Sequence, residues 1–316
     1  MKTRQNGFDI ADAAMLTVIV IWALSNVFSK TSLSEISPLA FVFARVGLAA
    51  PVLFAWVALR QGITVPDRAD WGQLVLAGAS GYGLYNVLYI LGIDMSSAFS
   101  VALLLSLGPV FTLLLAAVLR IEQVTRIQWI GVAVATLGVG VFVSDKLVGG
   151  MEYHPIGDLL IVAGAALFAV YSLVTRPLVG KYGAAPTTAW SLLVGFVVLA
   201  PFAIGPFIRQ EWIGLSPAAW VGLLFAAFGS LLIAYNLWAW AIQRRGVART
   251  VPYLFMLPVV TGVFSALITG ERFGPLKLLG AARVLGGAAI VRVIGGRLIV
   301  KDARRAAAAS LAPAKQ

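Results

Sequence analysis

The chain contains no cysteine. This excludes a disulfide-built fold, thiolate metal sites and a cysteine nucleophile. Charge is scarce as well: 12% of the residues are Asp, Glu, Lys or Arg, against about 25% in soluble domains. So few charges cannot cover a water-soluble body of 316 residues. The only histidine, His154, stands beside Pro155, where a solvated loop side chain is a simpler reading than a catalytic one. Walker A, HExxH and GxSxG motifs are missing. Gly78, Gly81 and Gly83 lie in an apolar run and lack the strand-to-helix setting of a nucleotide loop. No enzymatic activity, cofactor or metal site is therefore expected.

What is present is apolar. Hydrophobic residues make up 60% of the chain, and the mean hydropathy is +0.93, which excludes disorder. About 20 apolar residues span a bilayer as a helix. Ten segments qualify: 12–30, 37–60, 71–92, 97–119, 126–144, 156–175, 184–204, 216–242, 248–269 and 275–297. Runs such as 101–119 do not alternate as β-barrel strands do. The expected fold is an all-α polytopic membrane protein of ten transmembrane helices. The first segment ends in Ser25, Asn26, Ser29 and Lys30 without a small-residue cleavage site, so it reads as a helix and not a leader.

With the N-terminus inside, sixteen Lys and Arg fall on cytoplasmic segments. Five (Lys30, Lys146, Arg209, Arg272 and Lys277) fall outside. By the positive-inside rule both termini are cytoplasmic, in an inner (cytoplasmic) membrane. The net charge of +11 then faces anionic lipid, and nucleic acid is not needed as a partner.

The chain also repeats itself. At an offset of 149, Pro109 matches Pro258, Glu122 matches Glu271, Gly131 matches Gly280 and Gly138 matches Gly287. The first helices pair at an offset of 146, through Asp12 with Asp158 and Lys30 with Arg176. Five spans per half is an odd number, so the second half enters the membrane inverted. The boundaries read as 1–148, 149–299 and a tail, 300–316, expected to be disordered. Inverted repeats are the mark of transporters that expose a central site alternately to each side. The glycines seven apart in the fifth and tenth spans predict close helix packing, within a monomer or at a homodimer seam.

These segments resemble the drug/metabolite transporter superfamily, EamA type. Residues 22–30 (WALSNVFSK) are like the family's opening W-G-x-x-F-x-x-x-K helix. Pro38, Phe41 and Arg45 match its P-x-x-F-x-x-x-R pattern. Residues 97–122 resemble its S-A-x-x-A-x-L-L-x-x-x-P run ending in Glu, and the second half repeats that run through Pro258 to Glu271. The resemblance covers 12–297. Two departures are Ala23, where the family often has Gly, and Arg283, where it usually has an apolar residue. It implies a ten-helix transporter with a central cavity lined from both halves. Relatives of this kind move amino acids, purines, other metabolites or drugs, commonly outward.

Candidate cavity residues follow from polarity at mid-membrane, where an unpaired polar group is costly. The third span carries Tyr82, Tyr85, Asn86 and Tyr89; the eighth carries Tyr235, Asn236, Trp238 and Trp240. Asn26, Ser100, Ser106, Tyr171, Ser172, Trp190 and Tyr253 complete the set. Trp71 and Trp129, near span ends, suit an interfacial belt. Pro109 and Pro258 sit mid-span, where each removes a backbone hydrogen bond and frees a carbonyl. For Asn26, substrate contact and helix-to-helix bonding are both open. Two roles suit Arg45: snorkelling to the outer surface, or holding a substrate carboxylate or gating the outer mouth.

None of the thirteen acids lies in the middle of a span. Proton antiporters and lipophilic-cation exporters usually carry one there. The expectation is therefore facilitated or weakly coupled export of a small neutral or zwitterionic metabolite, amino acids first, with lipids as the surrounding partner. Drugs, purines or other metabolites are the alternative, and a lipid-modifying enzyme a remote one.

Overall fold

A computed structural model describes residues 10–119, 155–245 and 250–290, with parts of 126–141. Glu122, His154 and the tail 300–316 lie outside the described residues. Among the described residues the chain is helical, with no strand.

Among the described residues seven helices are long and apolar enough to cross a membrane. They are α1 (Ile10–Ser32), α2 (Pro38–Gln61), α3 (Arg68–Asp94), α4 (Ala98–Leu115), α6 (Pro155–Tyr182), α7 (Ala184–Arg209) and α8 (Pro217–Arg245). Three apolar helices are shorter: α5 (Trp129–Gly138), α9 (Leu257–Ile268) and α10 (Pro275–Ala289). The order and type of the ten segments follow the hydropathy reading.

The ends differ in places. Helix α6 continues past the expected end at 175 to Tyr182. The extra turns are held from outside, because Lys181 Nζ lies 2.6 Å from both Asp67 Oδ2 and Asp70 Oδ2. Helix α9 begins later than expected, after a 3₁₀ segment, Val251–Met256, because Pro258 cannot donate into a continuous helix.

The helices pack as two compact units, Met1–Thr112 with His154–Arg272, and Leu113–Tyr153 with Phe273–Gln316. In the second unit α5 meets α10 closely. A Cβ on Gly138 would stand 2.6 Å from the Val284 backbone nitrogen, the tight approach that its glycine spacing predicts. Arg283 is exposed.

In the first unit α2 packs along α7, and α3 along α6 and α7. Gly195 lets α7 approach α3: a Cβ there would lie 2.4 Å from Tyr82 Cβ. End contacts fix the relative directions of the helices. Where α1 begins, Arg245 at the end of α8 grips the Asp12 carboxylate with both terminal nitrogens, Nη2 to Oδ2 at 2.7 Å, and Tyr253 donates to it too. Where α1 ends, Lys30 Nζ donates to the Asp94 carbonyl at 2.5 Å. Helix α6 is the repeat of α1, but it begins at that second end, where Ser96 Oγ donates to Asp158 Oδ1 at 3.0 Å. It finishes at the first end, beside the start of α3. Helices α1 and α6 therefore run antiparallel, as an inverted repeat requires. At the second end Glu35 also accepts from the Ser216 N–H at 2.7 Å and from its hydroxyl at 2.5 Å. These two donors hold the Glu35 carboxyl below the usual carboxylate range.

Candidate solute-binding site

At the centre of the first unit, α1, α2, α3, α4, α6 and α8 and the segment leading into α9 enclose a cavity of about 40 Å³. That is room for roughly three water molecules and too little for a metabolite. Its walls are Trp22, Ser25, Asn26, Arg45, Tyr85, Tyr89, Leu105, Ala165, Phe168, Ser230, Tyr235, Leu254 and Leu257.

The repeat is visible in this wall. Trp22 and Phe168 are equivalent at the 146 offset, and Leu105 and Leu254 at the 149 offset. Leu105 and Leu254 each stand four residues before a proline, Pro109 and Pro258. A proline has no N–H to return to that carbonyl. The chain duly breaks at both places. Helix α4 divides into Ala98–Leu105 and Gly108–Val118, and the 3₁₀ segment Val251–Met256 precedes α9. Both interruptions reach the cavity, as irregular backbone at membrane depth should.

Polarity at the cavity centres on Arg45. Its side chain enters from α2, seven residues after Pro38, roughly 10 Å in from the second end at 1.5 Å per residue. It is 2% exposed and does not snorkel. The guanidinium carbon lies 5.6 Å from the centre of the Tyr89 ring. Its Nε and Nη1 have no hydrogen-bond partner among the described residues. Beside it, Tyr89 Oη donates to Asn26 Oδ1 at 2.7 Å, which leaves Asn26 Nδ2 without a partner, along with Ser25 Oγ. Unpartnered buried donors are expensive. Four of these atoms, on Ser25, Asn26 and Arg45, belong to side chains that line one small space. Asn26 thus makes the bond from α1 to α3 and brings an unpartnered donor to the cavity wall.

The aromatic wall is interlocked. Trp22 meets Phe168 at 5.8 Å and 86°, and Tyr235 at 5.5 Å and 71°. Trp238 is fully buried behind them, 5.4 Å from Trp22 and 5.6 Å from Phe168. Tyr82 and Tyr171 form a layer behind Tyr235, their hydroxyls 3.0 Å apart.

Other candidates lie elsewhere. Trp190 donates to the Thr64 carbonyl at 2.9 Å and packs on Phe54 and Trp71, near the first end. Tyr253 joins Asp12 at that end. Ser100 and Ser106 are buried in α4 and bonded locally, to Ser97 and the Leu103 carbonyl. Ser172 donates back to the Phe168 carbonyl.

Asn86 and Asn236 have backbone partners that hydropathy could not reveal. Helices α3 and α8 each widen into a π segment, Ala79–Gly83 and Phe225–Ala234. Shifted by 149, the first falls inside the second. Asn86 Nδ2 donates to the Gly81 and Tyr82 carbonyls at 3.2 and 3.0 Å. Asn236 Nδ2 donates to the Leu232 carbonyl at 2.6 Å. Each amide satisfies backbone that the wide turn releases, while Tyr85 and Tyr235 just beyond point to the cavity. Such turns recur at functional sites. Paired small residues at the 149 offset, Ser80 and Gly81 against Gly229 and Ser230, were their one sequence signal. Sequence reasoning passed over Trp22, Ser25, Phe168 and Ser230 as wall residues. The offset pairing of Trp22 with Phe168 was available to find two of them.

Comparison with known proteins agrees with this architecture. The model of the EamA-like transporter family matches residues 9–144 and again 155–293. A protein of Streptantibioticus cattleyicolor named a probable terminal-alkyne amino-acid exporter is 28% identical over 289 residues, covering 90% of this chain and 94% of that one. A transporter of Archaeoglobus fulgidus is 26% identical, covering 85% and 92%. A probable amino-acid metabolite efflux pump of Salmonella typhimurium is 26% identical, covering 94% and 97%. A crystal structure 19% identical in sequence superposes with a TM-score of 0.66 over 91% of this chain and 98% of its own, which establishes a shared fold.

Proposed function

This chain belongs to the EamA-like transporter family, and we propose that it exports small carboxylate-bearing metabolites of the amino-acid type by alternating access, with Arg45 holding the carboxylate. The observation that carries this reading is a guanidinium 2% exposed whose Nε and Nη1 have no partner among the described residues. A guanidinium matches a carboxylate in charge and fork geometry. Leaving it unmatched is costly unless a ligand completes it. Relatives named for amino-acid and amino-acid-metabolite export support the solute class.

The mechanism uses the two halves. The breaks before Pro109 and Pro258 and the π segments of α3 and α8 are places where helices yield. Rocking the inverted halves about them opens the cavity to one end and then the other. The N-terminal end faces the cytoplasm by the distribution of Lys and Arg, in the inner membrane, surrounded by lipid. Arg45 then lies in the outer half. The protein works as a monomer or homodimer, without nucleic acid and without chemistry on the solute.

Counterflow in proteoliposomes tests this, using labelled amino acids and N-acylated amino acids with and without a pH gradient. Saturable exchange is expected, and Arg45→Ala should lower it more than tenfold for every carboxylate while sparing uncharged solutes. Equal transport of carboxylates by Arg45→Ala would refute the assignment. Flux without counterflow would point to a channel, and accumulation driven by the gradient would point to proton coupling.

A further inference from the structure

We infer that the solute carries a carboxylate but no ammonium group: an N-acylated or amine-free carboxylate with an apolar body, rather than a free amino acid. This rests on Arg45 as the carboxylate holder and goes beyond it.

The polar side chains of the wall are Arg45, Asn26, Ser25, Ser230 and the hydroxyls of Tyr85, Tyr89 and Tyr235, neutral apart from Arg45. The unpartnered atoms are Arg45 Nε and Nη1, Asn26 Nδ2 and Ser25 Oγ. The first three can only donate. Asn26 Oδ1 already accepts from Tyr89, and the acceptor capacity it keeps is that of a neutral amide, with no charge to offset an ammonium. Among the described residues lining the cavity, none is Asp or Glu. Asp12, Asp94, Asp158 and Glu271 all stand at or beyond helix ends.

Aromatic faces are the other way to hold a cation. The Tyr89 ring already carries the Arg45 guanidinium at 5.6 Å. Trp22, Phe168 and Tyr235 meet in edge-to-face contacts, so ring edges cover ring faces. An ammonium admitted here would stand near the positive charge of Arg45. Its only counter-charge would be its own carboxylate, which Arg45 also needs. Repulsion between like charges in a small, water-poor space is weakly screened.

A neutral amide in place of the ammonium removes the conflict. Its N–H can donate to Ser25 Oγ, while the apolar body packs against Leu105, Leu254 and Leu257. The same donor-rich pocket takes an amine-free carboxylate directly.

The test compares three probes that share a ring and a carboxylate: phenylalanine, N-acetylphenylalanine and 3-phenylpropionate. Binding is measured by titration calorimetry on the purified full chain, wild type and Arg45→Gln. The expected result is at least tenfold tighter binding of N-acetylphenylalanine and 3-phenylpropionate than of phenylalanine, with all three weakened in Arg45→Gln. In Ser230→Asp, which places an acid in the wall, the preference should shift at least tenfold toward phenylalanine. If that variant does not fold, the wild-type ranking decides alone. Phenylalanine binding as tightly as N-acetylphenylalanine, still dependent on Arg45, overturns this inference and leaves the proposed function standing. Binding of all three that is indifferent to Arg45→Gln, or binding of none, overturns both.

Discussion

Two cations in this protein have opposite surroundings. Lys181 is 49% exposed at the first end and sits 2.6 Å from each of two carboxylates, Asp67 and Asp70. Arg45 is 2% exposed, with two nitrogens lacking any partner among the described residues. Water would have solvated Lys181 anyway, so its pairs tie α6 to the start of α3 without deciding stability. Arg45 faces only a small cavity, and none of the described residues lining it is an acid, so its charge is poorly compensated in the resting fold. The fully paired cation is structural. The cation left incomplete is the one to which the proposed function assigns a task, since a bound carboxylate would complete it.

The sharpest way to break this contrast is Arg45→Leu. Carboxylate transport should fall more than a hundredfold, while the protein becomes more stable by about 1–4 kcal/mol, since an apolar residue replaces an unmatched buried charge. Reversible unfolding in detergent, run beside the counterflow assay, measures both. Reduced stability would mean that Arg45 is structural after all. The next effect separates the two π segments. Asn86→Leu should destabilise by about 2 kcal/mol, because at a fully buried position it strands the Tyr82 carbonyl and leaves the Gly81 carbonyl only a long bond from the Tyr235 hydroxyl. Asn236→Leu should cost about half as much, because it strands one carbonyl at a half-buried position. Equal costs in the same unfolding assay would argue against capping as their role. The smallest effect belongs to Lys181→Ala, where transport should change less than twofold. A large loss in counterflow would promote that end cluster from tether to gate.

Much of the fold was legible because a bilayer imposes simple rules. Long apolar runs between short charged breaks marked the helices. Paired prolines and glycines at one offset marked the repeat. The same text placed Arg45 at a telling depth, and the family pattern around Pro38 pointed to it as well. It could not separate cavity residues from their neighbours. Tyr85, Tyr89 and Tyr235 line the space, whereas Tyr82 and Tyr171 bond to one another behind it. At ordinary helical spacing Asn86 would share a face with Tyr82 and Tyr89. The π segment just before it shifts that register, and the Asn86 amide is spent on backbone. Trp190 was equally plausible from composition, yet it anchors the end of α7 beside Thr64.

The sequence by itself determined the membrane class, the helix order and the inverted repeat, because each follows from local hydrophobicity or from text repeated along the chain. Only the tertiary structure decided which polar groups meet and which remain unmatched. Asn26, Arg45 and Tyr89 come from three helices, and whether a buried donor finds an acceptor depends on neighbours distant in the chain. That pairing, which periodicity does not record, is what distinguishes a binding site from a core.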